Sequence, residues 1–150
     1  MRLEMLNNTT VVQYSDEIKT YLNIVLNENM SQCVTDQIVE KYYNNIVKYL
    51  IDGSAIVIGA FDKDDLIGLH WAYETNVLNE RRLHSSFDIV NEKYRGQGIG
   101  TAMFKMLEKI CIERNIHIIE AMVTCANEVA MKYHEKNGFT IERVKVSKHI

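Results

Sequence analysis

The 150-residue sequence has only three cysteines, no basic run and no apolar run of membrane-spanning length, and each absence removes a class of function. Cys33, Cys111 and Cys125 are widely spaced with no Cys-x-x-Cys pair, which argues against a disulfide framework or a zinc site, so no metal is expected. Cys111 falls on the inner side of an amphipathic segment and is expected to pack in the core rather than react. A net charge of -3 without a basic stretch argues against nucleic acid as a substrate or partner. No segment approaches the ~20 apolar residues of a membrane span, and the N-terminal Met1-Arg-Leu-Glu-Met-Leu-Asn-Asn lacks the apolar stretch of a signal peptide. A cytoplasmic protein with no membrane contact is expected. With 47% apolar and 25% charged residues, the composition is that of one ordinary folded domain spanning residues 1–150.

Within that domain the apolar periodicity changes several times. Leu3 to Leu6 reads as a short strand. Ser15 or Asp16 is placed to cap a helix running to about Asn29, with Ile18, Leu22, Val25 and Leu26 on its inner face. Thr35 caps a second helix whose stripe is Ile38, Val39, Tyr42, Ile46, Val47 and Leu50, ended by Asp52-Gly53. Ala55 to Phe61 and Leu66 to Glu74 read as two strands of a hairpin turned by Asp62 to Asp65. The polar stretch Thr75 to Arg82 is read as a loop, and Leu83 to Val90 as the next strand. A long helix from about Gly98 to Arg114, a strand from Ile116 to Thr124, a helix Glu128 to Lys136 capped by Asn127, and a last strand Phe139 to Val146 complete the order. The fold class is therefore mixed α/β (α+β).

The most informative stretch is Asn91 to Thr101, Asn-Glu-Lys-Tyr-Arg-Gly-Gln-Gly-Ile-Gly-Thr, which joins a strand to the long helix. The first N–H groups of a helix have no partner within it and point along the positive end of its dipole. Gly96, Gly98 and Gly100 remove the Cβ atoms that would keep a phosphate from those donors, so the turn is suited to an anion. No Lys-Ser or Lys-Thr follows the glycines, which excludes a P-loop. The run Gly-x-Gly-x-Gly-Thr also departs from the Gly-x-Gly-x-x-Gly spacing of dinucleotide sites, which disfavours a dinucleotide-binding protein.

Arg95, Gly98 and Gly100 do meet the pattern [QR]-x-x-G-x-[GA], with Tyr94 before it and Ile99 inside it. This resembles the acetyl-CoA signature of the GNAT superfamily of N-acetyltransferases. Downstream, Asn127, Ala130, Lys136, Gly138 and Phe139 match the family's N-x-x-A-x-x-x-Y-x-K-x-G-F. His134 stands where the tyrosine is usual, and Tyr133 lies one residue earlier. The resemblance is specific from about Leu83 to Phe139. It implies a GNAT-like mixed sheet flanked by about four helices and splayed between the strand before the glycine turn and the strand after the long helix. Acetyl-CoA is then the co-substrate, with its pantetheine on backbone groups of Ile89 and Val90. Its pyrophosphate is expected on the N–H groups of Arg95, Gly96, Gln97, Gly98, Ile99, Gly100 and Thr101, and Asn127 near the pantetheine arm. The family commonly continues past this point with a two-stranded hairpin, whereas eleven residues follow Phe139 here. A strand supplied by a second copy, in a homodimer, is one expectation this raises.

Acetyl transfer to an amine needs a neutral amine, a polarised thioester carbonyl and a proton for the leaving thiolate. The family usually attacks directly, so no nucleophilic cysteine is required. His134 or Tyr133 is the expected proton donor. For the base, His84, Ser86, Asp88 and Val90 are expected to alternate onto one face of their strand, making Asp88 and His84 the candidates. Trp71, Tyr73 and the 75–82 stretch are candidate walls for the acceptor, and Arg81-Arg82 could attract an acidic one. The activity implied is transfer to a primary amine of a small molecule. An acyl-CoA-binding module without turnover, or a protein-lysine or N-terminal acetyltransferase, remain alternatives.

Overall fold

The computed structural model describes residues 1–30 and 33–150. Its elements are β1 (Arg2–Met5), α1 (Asn8–Gln13), α2 (Ser15–Asn29), α3 (Asp36–Ile51), β2 (Ala55–Asp62), β3 (Asp65–Val77), β4 (Glu80–Val90), α4 (Ile99–Glu113), β5 (Ile119–Ala121) and α5 (Glu128–Lys136), with a 3₁₀ turn at Glu92–Tyr94. The strands form one sheet in the order β1-β2-β3-β4-β5, antiparallel up to β4 and parallel between β4 and β5. Among the described residues no helix is long and apolar enough to cross a membrane.

Both sheet faces are covered, which explains why β2 is apolar and buried from Ala55 to Phe61 instead of alternating. On one face Ile18 and Leu22 of α2 and Val39 and Ile46 of α3 pack against Val57, Leu69, Trp71, Phe87 and Ile89. On the other, Met103, Leu107, Ile110 and Cys111 of α4 pack against Ile56, Ile58, Ile67, Ala72 and Leu83. Each large side chain buried in this way contributes roughly 1.5–3 kcal/mol, so the two cores fix β4 and the start of α4 relative to each other.

Four expectations about the elements themselves change. The short α1, capped by Asn7, whose side chain accepts from the Thr10 N–H, is additional and brings the α-helices to five. Thr75 to Arg82 is not a loop: β3 and β4 run through it, pairing Val77 with Glu80 across Leu78-Asn79. Both turn residues are left-handed, with φ of 53° and 65°, the pattern of a type I′ turn that continues the strands' twist. The strand after α4 is shorter than expected, three residues instead of nine. Finally, Phe139 to Val146 forms no strand. Phe139 packs on Phe104 and His134, but the residues beyond it are exposed, tied back by a two-pronged Arg82–Glu142 ion pair at 2.8 and 2.9 Å. An alternating sequence becomes a strand only against a partner edge, and among the described residues this tail pairs with none.

A bulge in β4 has the largest effect on the site. Trp71 pairs with Phe87 but Ala72 pairs with Ser85, so Ser86 is left without a partner and the alternation reverses across it. His84 therefore lies with Tyr73 on the α2–α3 face, their ring centres 5.1 Å apart. Asp88 pairs with His70 and lies on the α4 face with Val90. The single stripe expected for His84, Ser86, Asp88 and Val90 does not exist.

Candidate functional site

The sheet opens between β4 and β5. Only Leu83, His84 and Ser85 pair with Ile119, Glu120 and Ala121, and beyond them the strands separate. Within the β3–β4 ladder the Asn91 N–H donates to the Ile67 carbonyl. Antiparallel alternation then points the backbone groups of Ile89 at β3 and those of Asp88 and Val90 into the opening. The Val90 carbonyl there accepts from Arg95 Nε at 3.0 Å.

At the mouth of the opening stands the glycine turn. Gly96 and Gly98 are left-handed, with φ of 76° and 80°, and nothing lies within 4 Å of where their Cβ atoms would be. Gly98 is the N-cap of α4 and provides no side-chain acceptor, and the first helical bond runs from the Ala102 N–H to the Gly98 carbonyl. The amides of Ile99, Gly100 and Thr101 thus project without a helical partner. They face a cleft of about 360 Å³ whose wall includes Val90, Tyr94, Arg95, Tyr133 and Lys136. This is a fit for a phosphate chain, since the donors converge and no side chain fills the space. The Arg95 amide is already bonded to the Glu92 carbonyl, while Gln97 borders a neighbouring hollow beside Asp62 and Tyr94.

Deeper in the cleft the Tyr133 hydroxyl comes within 3.5 Å of the Gly100 carbonyl. Burial, reinforced by the Asp88 carboxylate beside it, pushes its phenol well above the ordinary value, so it holds its proton at neutral pH. His134 is turned elsewhere: its Nδ1 lies 2.8 Å from the Ala130 carbonyl of its own helix, and its ring packs edge-on to Phe139. Asn127 accepts from the Ala130 N–H as the cap of α5 and is not part of the cleft wall.

Behind Asp88, His70 is 1% exposed, its Nε2 2.8 Å from Ser85 Oγ and its Nδ1 without a partner among the described residues. Burial lowers its pKa below 6.5, an effect only partly offset by Asp88. Between that lowered value and 6.5 the unfolded chain binds a proton that the folded chain refuses, so stability rises with pH there and falls as pH drops below 6.5. The urea midpoint is expected to decline from pH 7 to pH 5, this group contributing at most ~1.4 kcal/mol per pH unit. His70→Gln should flatten that slope, and an unchanged slope in the variant would remove His70 as its cause.

On the opposite face His84 shares a half-buried shelf with Tyr49, Tyr73, Thr75 and Glu120. Burial lowers the His84 pKa, with Glu120 pulling the other way. The nearby arginines are engaged: Arg81 and Arg114 with Glu74, Arg82 with Glu80 and Glu142. Cys111 is buried and its thiol is pushed up to about 11, which keeps it unreactive.

The structure thus gathers Val90, Arg95, Gly96, Gly98, Ile99, Gly100, Thr101 and Tyr133 at one cleft, and leaves Ile89, Asn127 and His134 off its wall. Sequence reasoning missed Lys136 as a wall residue, although it stood in the second motif, and missed Glu120, which reaches His84 only through the β4–β5 register. Among the described residues no group of three or more His, Cys, Asp or Glu is arranged to hold a metal ion.

Comparison with known proteins agrees with this geometry. Residues 22–139 match the model of the acetyltransferase (GNAT) family. An uncharacterized protein of Bacillus subtilis, YxbD, is 37% identical over 51 residues, a match spanning 34% of this chain and 32% of that protein. A "predicted acetyltransferase" of Clostridium acetobutylicum, solved with acetyl-CoA, superposes with a TM-score of 0.77 at 17% identity, covering 99% of this chain and 95% of the other. An aminoglycoside acetyltransferase from an uncultured soil metagenomic sample, solved with sisomicin, gives 0.73 at 14% identity, with 99% and 94% covered. The chain belongs to the GNAT family of acetyltransferases.

Proposed function

We propose that the protein transfers the acetyl group of acetyl-CoA to a primary amine of a small molecule by direct attack. The observation that supports this most is the cleft itself: three unpartnered amides behind left-handed glycines, at the mouth of a split sheet, with a protonated tyrosine on the wall. The amides of Ile99, Gly100 and Thr101 and the Lys136 ammonium hold the phosphates, and the open edge at Val90 receives the pantetheine arm once Arg95 yields its carbonyl. The neutral amine attacks the thioester carbonyl, a C–N bond forms as the C–S bond breaks, and the leaving thiolate takes the Tyr133 proton. Burial, with Asp88 beside it, keeps that phenol protonated until then, and the amine's own proton leaves on the His84 side.

Release of free thiol from acetyl-CoA, followed across amino acids, polyamines, amino sugars, aminoglycosides and a lysine peptide, tests the reading. Release well above background with a small-molecule class supports it, and His134→Ala is expected to leave that rate nearly unchanged. Tight acetyl-CoA binding with no release from any amine would identify a binding module, and preference for the peptide a protein acetyltransferase. We further propose a homodimer, because the exposed Ile141, Val144 and Val146 lie in a tail that pairs with no strand among the described residues. Burying such residues against a second copy removes apolar surface from water. A dimeric mass is expected in light scattering at micromolar concentration, and a monomeric one contradicts it.

A further inference from the structure

Resting on that reading, we infer that the acceptor's ammonium group is received on the α2–α3 face of the sheet, held by Glu120 and covered by the Tyr73 ring. The acceptor is then a cationic amine with no carboxylate beside that group. The place follows from the register. His84 and Glu120 are paired one step before β4 and β5 part, so a group resting between them adjoins the opening in which the thioester is bound.

The chemistry follows from what Glu120 lacks. Its Oε1 accepts from Thr75 Oγ1 at 3.3 Å, yet among the described residues it has no ion pair, although it is half-buried. Glu74, Glu80 and Glu142, by contrast, each have an arginine. A carboxylate withdrawn from water without a counter-charge is costly, and a bound cation removes that cost. The surrounding rings favour the same ligand. Tyr49 and Tyr73 stack at 5.0 Å, Tyr73 lies 5.1 Å from His84, and Lys48 Nζ already rests 5.9 Å from the Tyr49 ring centre. Aromatic faces attract an ammonium through their quadrupole.

His84 supplies the remaining step. Burial keeps its imidazole neutral near pH 7, so it can take one N–H proton from the ammonium and pass it to solvent, leaving the lone pair that attacks the thioester carbonyl, and then take the second proton that nitrogen sheds once the C–N bond has formed. The imidazolium that forms is stabilised by the same Glu120. An acceptor with a carboxylate next to its amine would bring two negative charges within about 5 Å of each other, a repulsion that a half-buried site magnifies.

The test compares 2-phenylethylamine with phenylalanine, which differ only in that carboxylate, and adds glucosamine and spermidine as cations of other shapes. Trp71 is the chain's one tryptophan and lies 5.9 Å from Tyr49 and 5.2 Å from Tyr73, so its emission reports occupancy of the shelf without turnover. Binding and thiol release are expected with the amines and not with phenylalanine. Glu120→Gln, which keeps an acceptor for Thr75, should weaken amine binding roughly ten- to a hundredfold while leaving acetyl-CoA affinity unchanged. Equal amine binding in the variant, or use of phenylalanine equal to that of the amines, would overturn this site alone, whereas silence from every amine while acetyl-CoA binds would overturn the transferase reading with it. A wild-type protein that fails to bind acetyl-CoA would overturn the reading beneath it.

Discussion

Replacing Gly98 with tryptophan is expected to abolish acetyl-CoA binding while the fold survives. At φ of 80° an L side chain costs roughly 1–2 kcal/mol of backbone strain. Nothing lies within 4 Å of the position its Cβ would take, so the added atoms meet no protein core. The indole must instead occupy the space in front of the Ile99, Gly100 and Thr101 amides. Three charge-assisted hydrogen bonds at roughly 1.5–3 kcal/mol each then become unavailable to a phosphate, and affinity should fall by at least about a hundredfold. Gly98→Ala separates the two effects, because it carries the backbone strain without filling the cradle and should weaken binding far less. Calorimetric titration with acetyl-CoA, beside the melting temperature of each variant, decides the matter. Unchanged affinity in Gly98→Trp at an intact melting transition would show that the phosphates rest elsewhere.

The glycine turn was legible because its chemistry is local: left-handed backbone, missing Cβ atoms and a helix start are all written within eleven residues. The same holds for α4, whose stripe of Met103, Leu107 and Ile110 has the period of a helix and is buried as that period requires. What escaped depends on pairing. Leu78-Asn79 gives no Asn-Gly signal, so the turn that makes 75–82 a hairpin is visible only in the strands on either side. The bulge at Ser86 shifts the strand by one residue, and one residue is enough to send His84 and Asp88 to opposite faces. The tail from Phe139 to Val146 has the alternation of a strand but no edge to pair with, and sequence records the propensity without the partner. Tyr133 and His134 are adjacent, so only their rotation about α5 distinguishes them. In the fold the His134 ring packs on Phe139, and Tyr133 is the one of the two that lines the cleft.

Tyr133→Phe should lower kcat by roughly 10²–10⁴-fold, the usual span for loss of a positioned general acid, with little change in KM for acetyl-CoA. The phenyl ring retains the packing of the tyrosine, and the hydroxyl's neighbours are the Gly100 carbonyl at 3.5 Å and the Asp88 carboxylate, so a structural loss of that size is not expected. A thiolate leaving without a proton donor is the remaining explanation, and it makes a second, independent demand. The deficit should shrink when the acetyl group is carried on a more acidic thiol, whose thiolate departs with less need of protonation, whereas a misplaced substrate would be equally slow with either. Asp88→Asn offers a third reading of the same proton: removing the charge that helps hold the phenol up should lower its pKa and move the alkaline limb of the kcat profile toward neutrality. If Tyr133→Phe instead turns over within a fewfold of wild type and His134→Ala does not, the leaving thiolate is protonated from His134, whose ring would then have to leave Phe139 and enter the cleft when acetyl-CoA binds.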